Sequence, residues 1–184
     1  ESWDSCKSQI QTDGISYIDM EKQCPTFNDL LFYRRLLGLR SAMHSLARLY
    51  NPVKAPVSLQ GIFHPSYAPS HQQASMLLGQ ENSASFKGEG GEAEIRPEAQ
   101  TKIYAVRGGK EELIVWPKQI DFRPQKQTEL SINHVNGVWR GEAEDSYGEA
   151  ATISTAALVL YLKDHSHSIE SAFTAANALW LKRV

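Results

Sequence analysis

The order in which helix-like and strand-like segments follow one another is the feature that most constrains the fold of this chain. Between Asp29 and Tyr50 apolar residues recur at near-helical spacing up to Asn51-Pro52, which predicts a long amphipathic helix with a candidate break at Gly38. The segments that follow are predicted, in order, as a strand at 57–63, a helix at 67–78, strands at 83–87, 93–95, 101–106 and 112–116, a loop at 117–129, and helices at 149–162 and 169–182. This alternation indicates an α/β domain.

The length and the cysteine content exclude several other classes of protein. A chain of 184 residues buries roughly 70% of its unfolded surface, so we expect a single domain, 1–184, that needs no disulfide or metal. Cys6 and Cys24 form no metal-ligand pattern, which favours free thiols and a reducing, cytoplasmic compartment. No run approaches the ~18 apolar residues of a membrane span. Glu1 opens no leader-like segment, so we expect a cut end there.

The charged residues are distributed unevenly along the chain. The formal net charge is -2, yet the stretch from Leu30 to Gln80 contains no Asp or Glu. That stretch carries Arg34, Arg35, Arg40, Arg48 and Lys54, together with His44, His64 and His71. A local positive field suits an anion such as a phosphate, a carboxylate or a nucleic-acid backbone, although a solvated helix face explains the same pattern.

Arg34 and Arg35 are the strongest functional candidates on chemical grounds alone. Neighbouring residues on a helix point about 100° apart, so one arginine can face solvent while the other turns toward a pocket. A guanidinium in that position binds a carboxylate through two parallel hydrogen bonds. These residues therefore predict an anion-binding point at the start of the long predicted helix.

Glu92 and Glu94 follow a glycine-rich loop at 88–91 and form a second candidate site. In an extended strand they point the same way and can jointly hold a divalent cation through oxygen atoms. Two surface glutamates at a strand edge are the alternative explanation, and the loop by itself is typical of a plain hairpin.

His165 and His167 lie in a polar turn, where we expect them to be solvated. The sequence contains no serine-nucleophile elbow and no phosphate-binding P-loop.

Several motifs, in this order and spacing, resemble the anthranilate phosphoribosyltransferases, that is, glycosyl transferase family 3. The family has a His-Pro-Ala-Met turn, an Arg-x-x-Leu-Gly-x-Arg-Thr helix start, a Leu-Leu-Asn-Pro helix end, a Gly-Val strand end and an Asn-Ala-Ala helix. The matching segments here are residues 15–18, 24–27, 33–41, 46–52, 61–65 and 175–180. The resemblance covers most of the chain.

The resemblance implies a fold and an activity for the intact parent protein. The fold is the α/β domain of the nucleoside phosphorylases and phosphoribosyltransferases, with a central, mainly parallel sheet flanked by helices, and this chain resembles its C-terminal part. The activity is the transfer of phosphoribosyl from phosphoribosyl diphosphate to an aromatic amine, with Mg²⁺ bound, in a cytoplasmic homodimer of tryptophan biosynthesis. The diphosphate-binding loop and the helical subdomain are expected to precede Glu1, so we expect the chain alone to be inactive.

Carried over residue by residue, the resemblance assigns four residues to substrate or metal. Arg34 falls on the arginine that contacts the anthranilate carboxylate, and Cys24 replaces a substrate-side histidine. Glu94 falls on the glutamate of the Asp-Glu pair that binds magnesium and diphosphate, whereas Ala93 replaces the aspartate and Glu92 stands one residue earlier as a substitute ligand. These departures also resemble a divergent, non-catalytic branch of the family that binds nucleic acid through a basic face. The pyrimidine nucleoside phosphorylases are a more distant alternative.

Overall fold

A computed structural model describes residues 2–38, 42–122, 131–164 and 168–183 of the chain. The chain forms two compact units, Glu1–Tyr50 and Asn51–Val184, and each is described separately below. That residues 1–184 make up one domain stays a prediction.

Within residues 2–38 and 42–50 the first unit contains four helices: α1 (Trp3–Asp13), α2 (Met20–Gln23), α3 (Pro25–Leu37) and α4 (Met43–Leu49). Helix α3 starts four residues before the predicted helix, because Pro25 is suited to a first helical turn. It ends where Gly38 adopts a left-handed conformation (φ 68°) and donates its N–H to Arg34 O at 2.9 Å. The predicted break at Gly38 is therefore confirmed, whereas α1 and α2 are not predicted from the sequence.

The second unit is built on four strands: β1 (Ser58–Ile62), β2 (Ser83–Lys87), β3 (Thr101–Arg107) and β4 (Lys110–Trp116). Their order in the sheet is β1-β2-β3-β4. The α/β class is confirmed, but the sheet is mixed instead of mainly parallel. Only β1 and β2 pair in parallel, through the crossover helix α5 (Ala68–Leu77). The β3–β4 connection is a two-residue turn, Gly108-Gly109, with positive φ at both positions, and such a turn joins strands only as an antiparallel hairpin.

The strand predicted at 93–95 is absent. The N–H of Ile95 donates to Thr155 Oγ1 at 3.0 Å, so this N–H bonds to a helix and not to a neighbouring strand. Residues 117–122 have no regular structure, as predicted, and the rest of the predicted loop to residue 129 falls within 123–130, which lie outside the described residues. His165 and His167 also lie outside them.

Three helices complete the second unit: α6 (Ile132–Arg140), α7 (Ser146–Lys163) and α8 (Ile169–Leu181). Helices α7 and α8 confirm the predicted terminal helices, and α6 is not predicted. Each begins at a side-chain cap: Ser131 for α6, Asp145 for α7 and Ser168 for α8. No helix in the described ranges is both long and apolar enough to cross a membrane.

The sheet is covered on both faces, and this explains the nearly continuous burial of β2. One face packs against α7 and α8 through a cluster that includes Phe86, Ile103, Trp116 and Leu158. The indole N–H of Trp116 donates to Ser154 Oγ at 2.9 Å inside this core. The other face carries a buried polar network with α5, in which Gln60 bonds to the side chains listed here: His71 at 2.8 Å, Ser75 at 2.9 Å and Ser85 at 3.1 Å. Buried polar groups of this kind are tolerated because they are hydrogen-bonded.

Candidate functional site

Arg34 lines a cavity of about 440 Å³ in the first unit. The cavity walls come from α3 and α4, and the lining residues are Asn28, Leu31, Phe32, Arg34, Arg35 and His44. Residues three or four apart share one side of a helix, so Leu31 lies between Asn28 and Arg35 along one side of α3. The Arg35 guanidinium stacks over the Phe32 ring, 4.8 Å from its centre. Both arginines line the cavity. From the 100° offset between neighbouring helical residues, we expected that one arginine could face solvent while the other faced a pocket.

The chemistry of this cavity favours a planar anion. The lining residues that the structure describes offer two guanidinium groups, an imidazole and an amide, and none of them is a carboxylate. An arginine binds a carboxylate or phosphate with two parallel hydrogen bonds, and the Phe32 ring offers an apolar face next to them. His44 was visible in the acid-free stretch of the sequence, but its place in the cavity depends on how α4 packs against α3.

Cys24 lies at the opposite end of α3 from Arg34. Ten residues separate the two positions, which corresponds to about 15 Å along a helix. Cys24 precedes Pro25, is half-buried and forms no disulfide, and its carbonyl accepts hydrogen bonds from the N–H groups of Phe27 and Asn28 at 3.0 and 3.1 Å. The structure therefore does not bring Cys24 and Arg34 together at the described cavity, although Cys24 orients the backbone of Asn28, which does line it.

Glu92 is held by the glycine-rich loop that precedes it. Its two carboxylate oxygens accept hydrogen bonds from the N–H groups of Glu89 and Gly90, each at 2.6 Å. Partial burial acts to raise the pKa of Glu92, but the backbone hydrogen bonds from Glu92 itself, Gly90 and Glu89 outweigh it, so the pKa is lowered. Glu92 is therefore a fixed negative charge beside Glu94.

Glu94 lies among other acidic side chains. Burial, followed by the charges of Glu92, Asp145 and Glu98, raises the pKa of Glu94. Repulsion of this kind is relieved by a bound cation. Within the described ranges, however, no group of three or more His, Cys, Asp or Glu side chains is placed to hold a metal ion.

Sequence reasoning missed the other members of this acidic group, Glu98, Asp145 and Tyr147. Burial, the charges of Glu98 and Glu94, and a hydrogen bond to Glu98 raise the pKa of Tyr147 to about 12. Glu98 Oε1 lies 3.9 Å from Arg96 Nε, while Glu98 Oε2 is buried without a hydrogen-bond partner. Asp145 and Tyr147 lie about fifty positions after Glu94 in the sequence, so only the packed fold brings them close to it.

Comparison with known proteins connects these features to a family. Residues 2–181 match the family described as "Glycosyl transferase family, a/b domain". The chain belongs to this family. This match confirms the resemblance that was inferred from the ordered motifs. It also confirms that the chain resembles the α/β domain of the family.

Individual relatives are distant in sequence. An anthranilate phosphoribosyltransferase of Methylococcus capsulatus is 26% identical over 182 residues, which cover 96% of this chain and 53% of that protein. A second, of Burkholderia orbicola, is 25% identical over 179 residues, covering 94% of this chain and 52% of that protein. An uncharacterized protein of Aquifex aeolicus is 26% identical over 167 residues, covering 85% and 52%. The chain thus spans about half the length of these relatives.

Proposed function

We propose that this chain is part of a phosphoribosyltransferase that moves the phosphoribosyl group of phosphoribosyl diphosphate to an aromatic amine bearing a carboxylate. Membership of the glycosyl transferase family and the names of the relatives support a phosphoribosyltransferase-like function at the level of the family. The observation that carries the specific proposal is the cavity lined by Arg34, Arg35 and His44 beside the Phe32 ring, whose lining within the described ranges includes no carboxylate.

In the proposed reaction the bond between C1 of the ribose and the diphosphate oxygen breaks, and a bond from C1 to the amine nitrogen forms. The amine releases one proton, and the diphosphate leaves with the electron pair of the broken bond. Arg34 holds the acceptor carboxylate, and Phe32 lies against its ring. Their contribution is to position the acceptor and to fix its orientation.

The mutually repelling carboxylates around Glu94 favour a bound cation, and we propose that this cation is a magnesium ion. Magnesium usually binds one or two protein carboxylates together with substrate phosphates and water, so a group of three protein ligands is not required. Glu94 is the residue that would hold it, and the raised pKa of Glu94 is typical of a carboxylate crowded by like charges. When bound, the ion neutralises charge on the diphosphate leaving group. Cys24 is not among the described lining residues of the cavity, and we assign it only an indirect substrate role, through the backbone of Asn28.

Calorimetric titration of the chain with anthranilate and with aniline tests the acceptor assignment. Loss of a charged, bidentate contact weakens binding by about 10- to 100-fold. We expect Arg34→Ala to lower the affinity for anthranilate by that factor and to leave the weaker binding of aniline unchanged. Lys22→Ala removes a positive charge elsewhere in the first unit and is the matched control. Equal anthranilate binding by wild type and Arg34→Ala would exclude Arg34 as the acceptor contact.

A second candidate function is nucleic-acid binding by a non-catalytic protein. The same cavity favours it, because Arg34 and Arg35 suit phosphate oxygens and Phe32 offers a face on which a base can stack. Replacement of the family aspartate by Ala93 also favours a protein without turnover. Here affinity for single-stranded DNA falls steeply as salt rises, and combined charge reversal at Arg34, Arg35 and Arg40 removes it. A salt-independent or absent retention of DNA would reject this candidate.

A further inference from the structure

The loop between β2 and Glu94 is closed by one of its own neighbours in sequence. Both carboxylate oxygens of Glu92 are engaged, one with the N–H of Glu89 and the other with the N–H of Gly90, each at 2.6 Å. Hydrogen bonds to an ionised acceptor are shorter and roughly twice as strong as those between neutral groups. A single side chain therefore fixes the conformation of two consecutive residues of the loop.

The backbone of Glu92 is fixed as firmly as its side chain. Its carbonyl lies so close to Gly61, in β1, and to Gly88 that a Cβ atom at either position would stand well under 3.0 Å from it. Gly88 is itself tied to β1, because its N–H donates to Ile62 O at 3.0 Å. Only glycine at these two positions allows the approach. Glu92 is thus set against the carboxyl end of β1.

Glu94 lies between two anchored positions. Glu92 is held on one side, and on the other the N–H of Ile95 donates to Thr155 Oγ1 in α7 at 3.0 Å. The segment that carries Glu94 consequently has little freedom at either end.

We propose that Glu92 is a positioning residue, which fixes the loop at 88–91 and so determines where the Glu94 carboxylate is presented, and that it is not itself a magnesium ligand. The role of Glu94 as the ligand rests on the proposed function, whereas the role of Glu92 in the loop does not. This assignment separates the two glutamates that the sequence pattern treats as equivalent.

Amide hydrogen exchange measured by NMR on the 184-residue chain, with and without MgCl₂, tests the proposal. In the wild type we expect slow exchange at Glu89 and Gly90 that Mg²⁺ leaves unchanged. Glu92→Gln keeps one oxygen acceptor and Glu92→Ala keeps none, so exchange at these amides should rise in that order, by about tenfold or more for the alanine variant. Both variants should weaken Mg²⁺ binding in a parallel calorimetric titration carried out with inorganic diphosphate present, which supplies the phosphate ligands.

Two further variants separate positioning from ligation. Glu94→Gln should abolish Mg²⁺ binding and leave exchange at Glu89 and Gly90 as in the wild type. Glu89→Gln, an equal charge change in the same loop, should leave both quantities close to wild type. Far-UV circular dichroism establishes that each variant is folded.

Three results would contradict the account, and they fall on different parts of it. Faster exchange at Glu89 and Gly90 on adding Mg²⁺ to the wild type means that Glu92 leaves the loop to bind the ion, which overturns the proposal. Unchanged exchange in Glu92→Ala overturns it as well. Absence of Mg²⁺ binding in the wild type with inorganic diphosphate present refutes the proposed function at Glu94, while the exchange rates of the Glu92 variants still decide the loop role.

Discussion

Replacement of Thr155 by valine removes the hydrogen bond that anchors the backbone next to Glu94. Thr155 Oγ1 accepts from the N–H of Ile95 at 3.0 Å and donates to Ala151 O at 2.8 Å. Ile95 is 1% exposed, so water does not reach its amide in place of the lost acceptor. Valine has nearly the same shape as threonine, and the substitution therefore isolates the loss of the hydroxyl group.

The expected cost follows from the two terms that change. A buried donor left unpaired costs about 1–3 kcal/mol, and replacing the hydroxyl by a methyl group recovers up to about 0.8 kcal/mol through apolar burial. The net loss in the free energy of unfolding is then about 0.2–3 kcal/mol. For a chain of this size, a loss of about 1.5 kcal/mol, near the middle of that range, lowers Tm by roughly 3 to 6 °C.

Thermal and urea unfolding followed by circular dichroism measure this loss, with Thr155→Ser as the matched control. Serine keeps the acceptor oxygen, so its Tm should stay closer to wild type, and exchange at the Ile95 amide should speed up only in the valine variant. Equal Tm values for the valine and serine variants, with unchanged exchange at Ile95, would refute the reasoning that this bond holds the segment in place.

Three further substitutions test the electrostatics and the core. Burial and neighbouring carboxylates raise the pKa of Glu94, so the ionised form of Glu94 destabilises the fold. Glu94→Gln should therefore raise the free energy of unfolding at pH 7. Urea unfolding at a series of pH values should show that this gain disappears below pH 4.5, where Glu94 is protonated in both the folded and the unfolded state. Burial and nearby carboxylates raise the pKa of Tyr147 from 10.0 to about 12. The contribution of Tyr147 to stability is therefore complete below pH 10 and is lost as the pH rises toward 12. In Tyr147→Phe, the urea concentration at the unfolding midpoint should fall less steeply over this pH range than in the wild type. Ser154→Ala leaves the buried indole N–H of Trp116 without its partner and should lower the free energy of unfolding by about 1–3 kcal/mol, measured by tryptophan fluorescence; an unchanged midpoint would contradict this.

Local sequence patterns predict the elements whose formation depends on nearby residues. Strand β2 spans Ser83–Lys87 as predicted, and the break at Gly38 follows from one glycine with positive φ. Helices α1, α2 and α6 were missed. Helix α6 illustrates the reason, because it packs partly against the core through Val138 and its Trp139 meets Trp180 edge to face, contacts between residues about forty positions apart.

The mixed sheet and the absent strand show where local patterns fail. The Gly108-Gly109 pair is a hairpin signal that overrides the parallel arrangement expected from the family resemblance. The extended pattern at 93–95 lacks a neighbouring strand, and Ile95 bonds to Thr155 in its place. A local turn therefore decides the antiparallel pairing, whereas a long-range contact decides the backbone conformation at Ile95.

The candidate site was only partly predictable for the same reason. Arg34 could be found from the charge pattern, because the cavity residues of α3 lie within two turns of the same helix. The side-chain direction of Glu92 could not be found from the sequence. Its carboxylate accepts hydrogen bonds from the N–H groups of Glu89 and Gly90, which in a regular strand would bond to a neighbouring strand. Asp145 could not be found either, because it caps the start of α7 and only the packing of that helix brings its charge close to Glu94.

Consumption of phosphoribosyl diphosphate by the protein at its full natural length, with anthranilate and Mg²⁺ present, tests the central claim most directly. We expect release of diphosphate that depends on anthranilate and is lost in Arg34→Ala, while Lys22→Ala retains it. No consumption of phosphoribosyl diphosphate, together with salt-sensitive retention of single-stranded DNA, would contradict the account and favour the nucleic-acid-binding alternative.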